Sequence, residues 1–498
     1  MGMLSKIFGR RGKPSAAKQL KATLQQNDKL RRQLFSVMAS YDAAQSTDAN
    51  TRYWTAADNL SADASNNAGT RETLRKRARY EIANNSSLAG IAKTLANDLI
   101  GTQIRLQLTG MSDEVGRIVE RQFQEWAKAV RLADKLRMLR RAKLVDGEAF
   151  ALLAHNPGIR SAVQLDLVPI ECDRVTDPWN SEVDPQNVDG VKLDDYGNPV
   201  AYYVLRSHPG SQEWNAVTTE YDTYDAEHVI HWFASERPGQ HRGVPEITPA
   251  LESFASRRGY QQAVVDAAKL AAQFSLIYKT LQTPDETAQS VDASTLIDVV
   301  RNMIQFAPEG WEPVQLKAEQ PVAAFEGFDR RLLGENARCL NMPLNVAAAD
   351  SSGYNYASGR LDHQVYWRSQ DVDRTDLELT VLDRIVQRWA AEAILIDGYL
   401  PQEVRYLDTD WSHQWYYDGR EHVDPEKEAK AQTVRLTNKT TTYAAEAARS
   451  GYADWQTMMR QQAAEQTYAA ELGISTLYGE QASGTQEPAP QGEPTEQA

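Results

Sequence analysis

The sequence predicts a mainly helical α+β protein, and three observations support that fold class. Segments with helical periodicity, bounded by capping or helix-breaking residues, cover most of the chain. Short runs with strand-like alternation lie mostly in one stretch, between residues 149 and 233. The chain has 498 residues, which is too long for one compact core, so we expect several structural regions.

Composition limits the classes of function. The formal net charge is −14, which argues against a protein that grips duplex DNA, because such binding rests on Lys and Arg neutralising phosphates. No run reaches the roughly 20 apolar residues of a membrane span, and the N-terminal residues lack the apolar core of a signal peptide. Cys172 and Cys339 cannot make a disulfide framework, so we expect both as buried apolar residues in a reducing compartment.

The first hundred or so positions divide into an arm and a helical pair. Residues 1–40 are basic and predict an extended arm with a short helix near 17–37, and residues 41–70 predict little regular structure. Residues 70–100 predict two helices, separated at Asn84-Asn85-Ser86-Ser87, whose side chains suit caps. Four arginines of the first helix form either a nucleic-acid patch or a solvated face that pairs with Glu72 and Glu81: Arg71, Arg75, Arg77 and Arg79.

The region from residue 103 to residue 244 mixes helix and strand patterns. The turn Asp195-Tyr196-Gly197-Asn198-Pro199 is typical of a hairpin. The patterns predict helices at residues 112–130 and 133–145, and strands at residues 103–108, 149–155, 163–169, 199–206 and 228–233.

A long Ala-rich helix is predicted over residues 245–272. Pro238-Gly239 and Gly243 mark the turn before it, and Thr248 is its predicted N-cap. Its small side chains fit a helix packed against copies of itself, and its periodicity fits a buried core helix as well. The segments predicted next are a strand at 274–281, a short helix within 283–305, a turn at 308–314 leading to a strand, and a helix at 322–341 ended by Pro343.

A mobile loop is predicted over residues 344–360, where Gly, Ser, Asn and Asp cluster between two helical patterns. A long helix is predicted over residues 361–396, followed by a strand at 404–411. Asp424 is the predicted cap of a further helix, and beyond Gly473 we expect disorder.

Several motifs combine into a resemblance. The run RPGQHRGVP at residues 237–245, before the Ala-rich helix, is similar to a motif of the lambda-type family of tailed-phage portal proteins. Three further stretches resemble that family: YDAA from Tyr41, DYGNPVAYYV from Asp195 and DPEKEAK from Asp424. The resemblance covers roughly residues 41–455. The motifs are turns and helix starts rather than catalytic signatures, so they are specific only in combination.

The resemblance implies a portal-type fold with a wing, a two-helix stem, an α/β clip and a helical crown. The implied regions are an N-terminal arm (1–60), the wing (61–244), the first stem helix (245–272), the clip (273–321), the second stem helix (322–343), a tunnel loop (344–360), a long helix completing the wing (361–424), the crown (425–473) and a disordered tail (474–498).

The resemblance also implies a function. Portal proteins form a homo-oligomeric ring, usually twelve-fold, at one capsid vertex of the virion, and DNA enters and leaves through it. The implied partners are the terminase large subunit, head-completion (neck) proteins, major capsid and scaffold proteins, and double-stranded DNA in transit, bound non-specifically. The implied subunit is assembled in the host bacterial cytoplasm and has no enzymatic activity, cofactor, metal or membrane contact. An acidic chain fits a channel wall that does not hold DNA.

Four residues of the implied tunnel loop are the candidate DNA contacts. They are the ones we expect nearest the phosphates: Tyr354, Asn355, Tyr356 and Arg360. Without the resemblance, the same segment is typical of a plain helix–helix linker.

Two groups of side chains have the chemistry of a metal site without its spacing. His228 and His231 are three positions apart in a predicted strand, so they face opposite sides. Asp408, Asp410 and His413 lie close together in sequence but lack a further ligand of known spacing. They would be the metal ligands under the alternative hypothesis of a metal-dependent nuclease. Phosphate-loop, nucleophile-elbow and H-E-x-x-H motifs are absent from the sequence, so we predict no catalytic site. Another capsid or head-completion protein is the remaining alternative.

Overall fold

A computed structural model gives the fold. It describes residues 21, 23–30, 51–178, 184, 186–211, 220–272, 276–280, 311–315, 325–405, 409–419, 425–449 and 455–474. The predicted helix within 283–305, the predicted cap Asp424 and the tail beyond residue 474 lie outside these residues. The chain divides into two units, Met1–Ser61 and Ala62–Ala498. In the first unit, residues 23–30 are helical, and a 3-10 turn occupies Thr51–Tyr53.

The second unit is mainly helical, as the sequence predicts. None of the described helices combines the length and apolar character needed to cross a membrane. After a single α-helical turn at Ala62–Ser65, the described helices are α1 (Ala68–Asn84), α2 (Ser86–Ile100), α3 (Asp113–Ala129), α4 (Leu132–Asp146), α5 (Leu251–Ala272), α6 (Phe325–Arg338), α7 (Leu344–Ala348), α8 (Tyr356–Leu377), α9 (Asp383–Ile394), α10 (Pro425–Thr437), α11 (Tyr443–Arg449) and α12 (Trp455–Glu471).

Within the described residues, the strands form four small antiparallel sheets. Three strands pair in the order β3-β2-β8, four in the order β4-β5-β6-β7, and two two-stranded sheets join β1 to β11 and β9 to β10. The strands are β1 (Arg105–Leu108), β2 (Glu148–His155), β3 (Leu165–Ile170), β4 (Asn187–Val188), β5 (Val191–Leu193), β6 (Pro199–Leu205), β7 (Tyr221–Asp225), β8 (Val229–Phe233), β9 (Leu276–Thr280), β10 (Trp311–Gln315) and β11 (His413–Tyr416).

The break between α1 and α2 is where the sequence predicts it. The backbone N–H of Asn85 donates to Glu81 O at 2.8 Å and closes α1, while the Asn85 side chain accepts from Leu88 N at 3.3 Å and caps α2. Asn85 has an extended backbone, φ −122° and ψ 106°, so it cannot continue either helix.

In the part of the second unit that the structure describes, three apolar clusters hold the helices and sheets together. The first packs α3, α4 and α9 on the β3-β2-β8 sheet around the fully buried indoles of Trp126, Trp232 and Trp389. The second joins α1, α2, α5, α6 and α8 through side chains such as Leu88 and Phe254. The third lies between the two larger sheets. Burial of such side chains is the main favourable contribution to folding.

Helices α5 and α6 pack against each other in the first half of α5. Arg257 forms an ion pair with Asp329 at 2.8 Å, and the ring of Tyr260 lies 5.4 Å from that of Phe328. Beyond Arg257, none of the α5 side chains described up to Lys269 is buried. The first half of α5 therefore belongs to the second cluster, and the second half extends away from it.

The structure corrects four local predictions. The segment 344–360 is not one loop: α7 follows Pro343 because Leu344 and Ala347 pack on the second cluster, and α8 begins at Tyr356. In the predicted strand at 404–411, Val404 and Arg405 instead belong to a 3-10 turn, Gln402–Arg405, because Val404 packs in the first cluster. Residues 409–411 are not in a strand, and residues 406–408 lie outside the described residues.

The remaining corrections concern helix ends and regularity. The predicted helix 361–396 contains a π-helical turn, Glu378–Leu382, between α8 and α9. Thr248 is not the N-cap of α5, because a 3-10 turn, Thr248–Ala250, precedes that helix and itself follows Ile247.

Candidate nucleic-acid interface

The candidate DNA-contact residues lie at the junction of α7 and α8. Residues 349–355 connect the two helices, and Ala349 and Gly353 have positive φ angles of 52° and 81° that reverse the chain. Arg330 of α6 anchors this connection, with an ion pair to Asp350 at 2.7 Å and a hydrogen bond to Ser352 O at 3.4 Å. The connection is therefore shorter and more strongly tethered than a mobile loop over residues 344–360.

Neighbouring residues stabilise the ionised form of the Asp350 side chain. Hydrogen bonds from the side chain and backbone of Ser352, followed by the charge of Arg330, lower the pKa of Asp350. The carboxylate therefore stays ionised and keeps its pair with Arg330 at neutral pH.

The four predicted contact residues have different roles in the structure. Asn355 is the N-cap of α8: its side chain accepts from Ser358 N at 2.8 Å, in a reciprocal capping box. Tyr354 is half-buried and lines a surface groove, and Arg360 is exposed in the first turn of α8. Tyr356 is the first residue of α8. The side-chain oxygen of Asn355 is thus already engaged in starting a helix.

The groove beside Tyr354 carries basic residues that the sequence analysis missed. It has a volume of about 480 Å³ and lies between α6 and the start of α8. Arg331 and Arg338, seven positions apart on α6, line it together with Val365. Among the described residues neither arginine has a carboxylate partner, and Arg338 donates to Asn341 Oδ1 at 2.5 Å. The i, i+7 spacing of arginines on one helix face was the signal that could have found them.

The RPGQHRGVP run is built around a buried carboxylate. Glu148, at the start of β2, is fully buried and accepts from Arg242 Nη2 at 2.7 Å, Arg242 Nε at 2.9 Å and Gly243 N at 2.9 Å. A Cβ on Gly243 would lie 2.1 Å from Gly147 O, so only glycine fits there. Gln240 donates to Arg242 O at 2.9 Å and holds the turn. The motif is therefore a structural device rather than a reactive site.

Histidine and glutamate share this buried network. Burial would raise the pKa of Glu148, but the charge of Arg242 and hydrogen bonds from His231 and Arg242 outweigh it, so that pKa lies well below its usual range. Burial lowers the pKa of His231, whose Nε2 lies 3.1 Å from Glu148 Oε2. The His231 ring stacks on Phe150 at 4.2 Å. The sequence analysis did not predict Glu148 as the centre of a buried hydrogen-bond network. The signal was a lone glutamate in the apolar run EAFALLA, because a buried charge needs partners.

Both predictions for the α1 arginines are wrong for Arg71, Arg75 and Arg79, whereas Arg77 is exposed, as the solvated-face alternative predicts. Arg71 and Arg75 are buried, and they form ion pairs with Asp189 and Asp173 from the sheet region. Arg79 pairs with Asp146 at 2.6 Å. These side chains are neither a nucleic-acid patch nor a solvated face, because the tertiary fold supplies distant carboxylates to them. Glu72 does pair on the surface, with Lys76, and Glu81 is buried against Arg258 at 2.8 Å.

The described candidate metal ligands form hydrogen bonds to other side chains or to the backbone and do not converge on one site. His231 is part of the buried network, and His228, in a 3-10 turn before β8, lies 2.8 Å from Arg388 Nη2. Asp410 accepts from Ser412 N at 2.9 Å, and His413 Nε2 lies 3.1 Å from Asp383 Oδ1. Asp408 lies outside the described residues. Within the described part of the chain, no group of three or more His, Cys, Asp or Glu side chains is placed to hold a metal ion.

Comparison with known families decides the class of protein. The family model described as phage portal protein, lambda family, matches residues 47–374, which is more than half of the chain. The chain belongs to this portal protein family. The matched residues include the sheet strands β2, β3, β6 and β8 as well as α5, α6 and most of α8, and they end at Arg374.

The individual proteins that resemble this chain are distant in sequence. A probable portal protein of Halomonas phage phiHAP-1 is 23% identical over 390 residues, which cover 72% of this chain and 73% of the relative. A structure described as the neck of an empty GTA particle is 16% identical, with a TM-score of 0.43, and the match covers 78% of this chain and 97% of that one. A crystal structure of an HK97-family phage portal protein from Corynebacterium diphtheriae is 14% identical, with a TM-score of 0.29, covering 57% and 84% of the two chains. The family assignment rests on the match over residues 47–374.

Proposed function

We propose that the protein is the portal subunit of a tailed phage or prophage, with a structural and non-enzymatic role. Identical copies form a closed ring of about twelve subunits at one capsid vertex of the virion. DNA passes through the ring during packaging and ejection. The single observation that carries this proposal is the family match over residues 47–374.

The two long helices support a channel wall. Helix α5 has 22 residues and is about 33 Å long at 1.5 Å rise per residue. None of the side chains described between residues 258 and 269 of α5 is buried, although the segment carries Val264 and Val265. An amphipathic or small-residue helix of this kind is stabilised by packing against another surface. Neighbouring copies supply that surface in a ring, with α5 and α6 as the stem helices.

If α5 and α6 are the stem helices, the regions between and after them correspond to the clip and the crown. The segment between α5 and α6, which contains the antiparallel β9–β10 pair, is the clip, where the terminase large subunit and later the head-completion proteins dock. Helices α10 to α12 are the crown. Major capsid and scaffold proteins contact the assembled ring, and the ring is assembled in the host bacterial cytoplasm.

Residues 349–355 and the first turn of α8 face the passing DNA. Tyr354, Tyr356 and Arg360 contact the phosphates non-specifically, and Asn355 positions them by starting α8. A chain with a net charge of −14 offers few such contacts, so DNA is guided without being held.

The oligomeric state tests the proposal. Native mass measurement of the purified protein, with a subunit mass of 55.8 kDa, should give a single large species of about twelve copies. End-on class averages of that species should show an axial hole. A protein that stays monomeric at every concentration, or an assembly without a hole, contradicts the proposal and favours another capsid component.

A further inference from the structure

An exposed apolar stripe runs along α8. Leu361, Val365, Val372 and Leu379 are between 57% and 67% exposed, although all four are apolar. The spacing of four and seven residues places Leu361, Val365 and Val372 on one face of α8. Leu379 follows seven residues later, in the π-helical turn that continues the helix. The buried side chains of the same helix, Tyr366, Gln370 and Leu377, lie on the other side. The stripe therefore contributes nothing to the core of its own subunit.

We propose that this stripe, with the adjoining arginine groove, is one face of the contact between neighbouring copies of this chain. The proposal rests on the proposed ring and names the surface that closes it. In a ring each subunit contacts its neighbours through two different faces, so one subunit's stripe packs on another surface of the next copy.

The size of the surface fits this role. Leu361 and Leu379 are about 27 Å apart along the helix axis, and a helix with its side chains is about 10 Å wide. Such a strip is about a third of the roughly 800 Å² that each partner contributes to a typical stable interface. The groove of about 480 Å³ adjoins the stripe, because Val365 belongs to both, and it extends the surface onto α6.

The charges next to the stripe favour a second copy over other occupants. Arg368 lies in line with the stripe, between Val365 and Val372, and Arg331 and Arg338 line the groove. Among the described residues none of these three arginines forms an ion pair with a carboxylate. A second copy brings 68 acidic against 54 basic side chains, an excess of carboxylates that can pair with them.

DNA fits this surface less well than a protein does. Phosphates pair with arginines, but a nucleic-acid backbone offers nothing to cover four exposed aliphatic side chains. Arginine together with buried apolar residues is the usual composition of a protein–protein interface.

Substitution of the stripe tests the proposal by ring formation. Val372→Lys should raise the protein concentration for half-assembly by at least about tenfold, because an interfacial apolar contact is lost. Val372→Leu should keep the rings. Gln387→Lys, at an exposed position on α9, is the matched control and should assemble as the unmodified protein does. Circular dichroism of each variant confirms that the subunit is folded, as expected for changes at exposed positions.

The outcomes separate this proposal from the proposed function. If the unmodified protein forms no ring, the proposed function fails. If it forms rings and Val372→Lys forms them equally well, or if Gln387→Lys disrupts them as strongly, only the assignment of the stripe fails. The Arg331→Gln/Arg338→Gln variant should also assemble less readily. Unchanged rings that retain less duplex DNA on a filter would instead make the groove a DNA site.

Discussion

The buried pair of Arg242 and Glu148 should be among the most sensitive positions in the chain. Both side chains have no solvent-exposed area, and three hydrogen bonds of 2.7, 2.9 and 3.1 Å join them. Arg242→Met keeps most of the volume and removes the charge. Glu148 then remains buried, with Arg75 at 3.6 Å as its nearest remaining cationic side chain. Breaking a buried pair in this way costs about 3–5 kcal/mol of stability.

Amide hydrogen exchange measures the loss of stability in β2, the strand that contains Glu148. The chain has several structural regions, so global unfolding need not be two-state, and the opening free energy of the β2 amides is the better quantity. Arg206→Met is the matched control, because Arg206 forms its ion pairs with Glu220 and Asp222 at the surface. Removing such an exposed pair costs about 0–1 kcal/mol. If β2 exchanges at the same rate in the two variants, the argument from burial is refuted.

The pH dependence gives a second check on the same pair. In the native protein the pKa of Glu148 lies below its unfolded value of about 4.3, so its contribution is present above that pH and is lost as pH falls further. In Arg242→Met, burial without Arg242 raises that pKa, and protonation then relieves the buried charge. The stability gap between the two proteins should therefore shrink as pH is lowered from 7 towards 4. A gap that widens would contradict the assignment.

Two further changes test local structure. Gly243→Ala should destabilise the β2 region strongly, because its Cβ would lie 2.1 Å from Gly147 O, whereas Gly239→Ala meets no atom within 4 Å and should cost only the strain of its φ of 74°. Thermal unfolding of both variants compares them, and equal midpoints would contradict the packing argument. Asn355→Ala should weaken the start of α8 by about 0.5–2 kcal/mol, seen as faster amide exchange over residues 356–360. Unchanged exchange there would show that the capping box is not needed.

Local patterns along the chain predicted most helices and many strands. The break at Asn85 was predicted because an Asn side chain caps a helix using neighbours within three or four positions. Strands β2, β6 and β8 were predicted within one or two residues of their ends, because alternation records which face is buried. The family resemblance rested on short sequence motifs such as RPGQHRGVP, and the family match over residues 47–374 confirmed it.

Predictions failed where distant residues decide the structure. The sequence predicted a loop over residues 344–360, but α7 forms because Leu344 finds the second cluster to pack against. Residues 404–411 alternate like a strand, yet the strand that pairs with β1 is β11, at His413–Tyr416. The candidate DNA contacts remain predictions, with Asn355 now explained as a helix cap.

The sequence by itself determined the fold class, the positions of the long helices and the family. Each of these depends on interactions within a few residues or on motifs that can be read in order. Only the tertiary structure decided which charges are buried together. Arg242 reaches Glu148 across 94 positions, and Arg71 reaches Asp189 across 118. An arginine on a solvated helix face and one in a buried pair have the same local pattern, because the difference lies in what the folded chain brings against them.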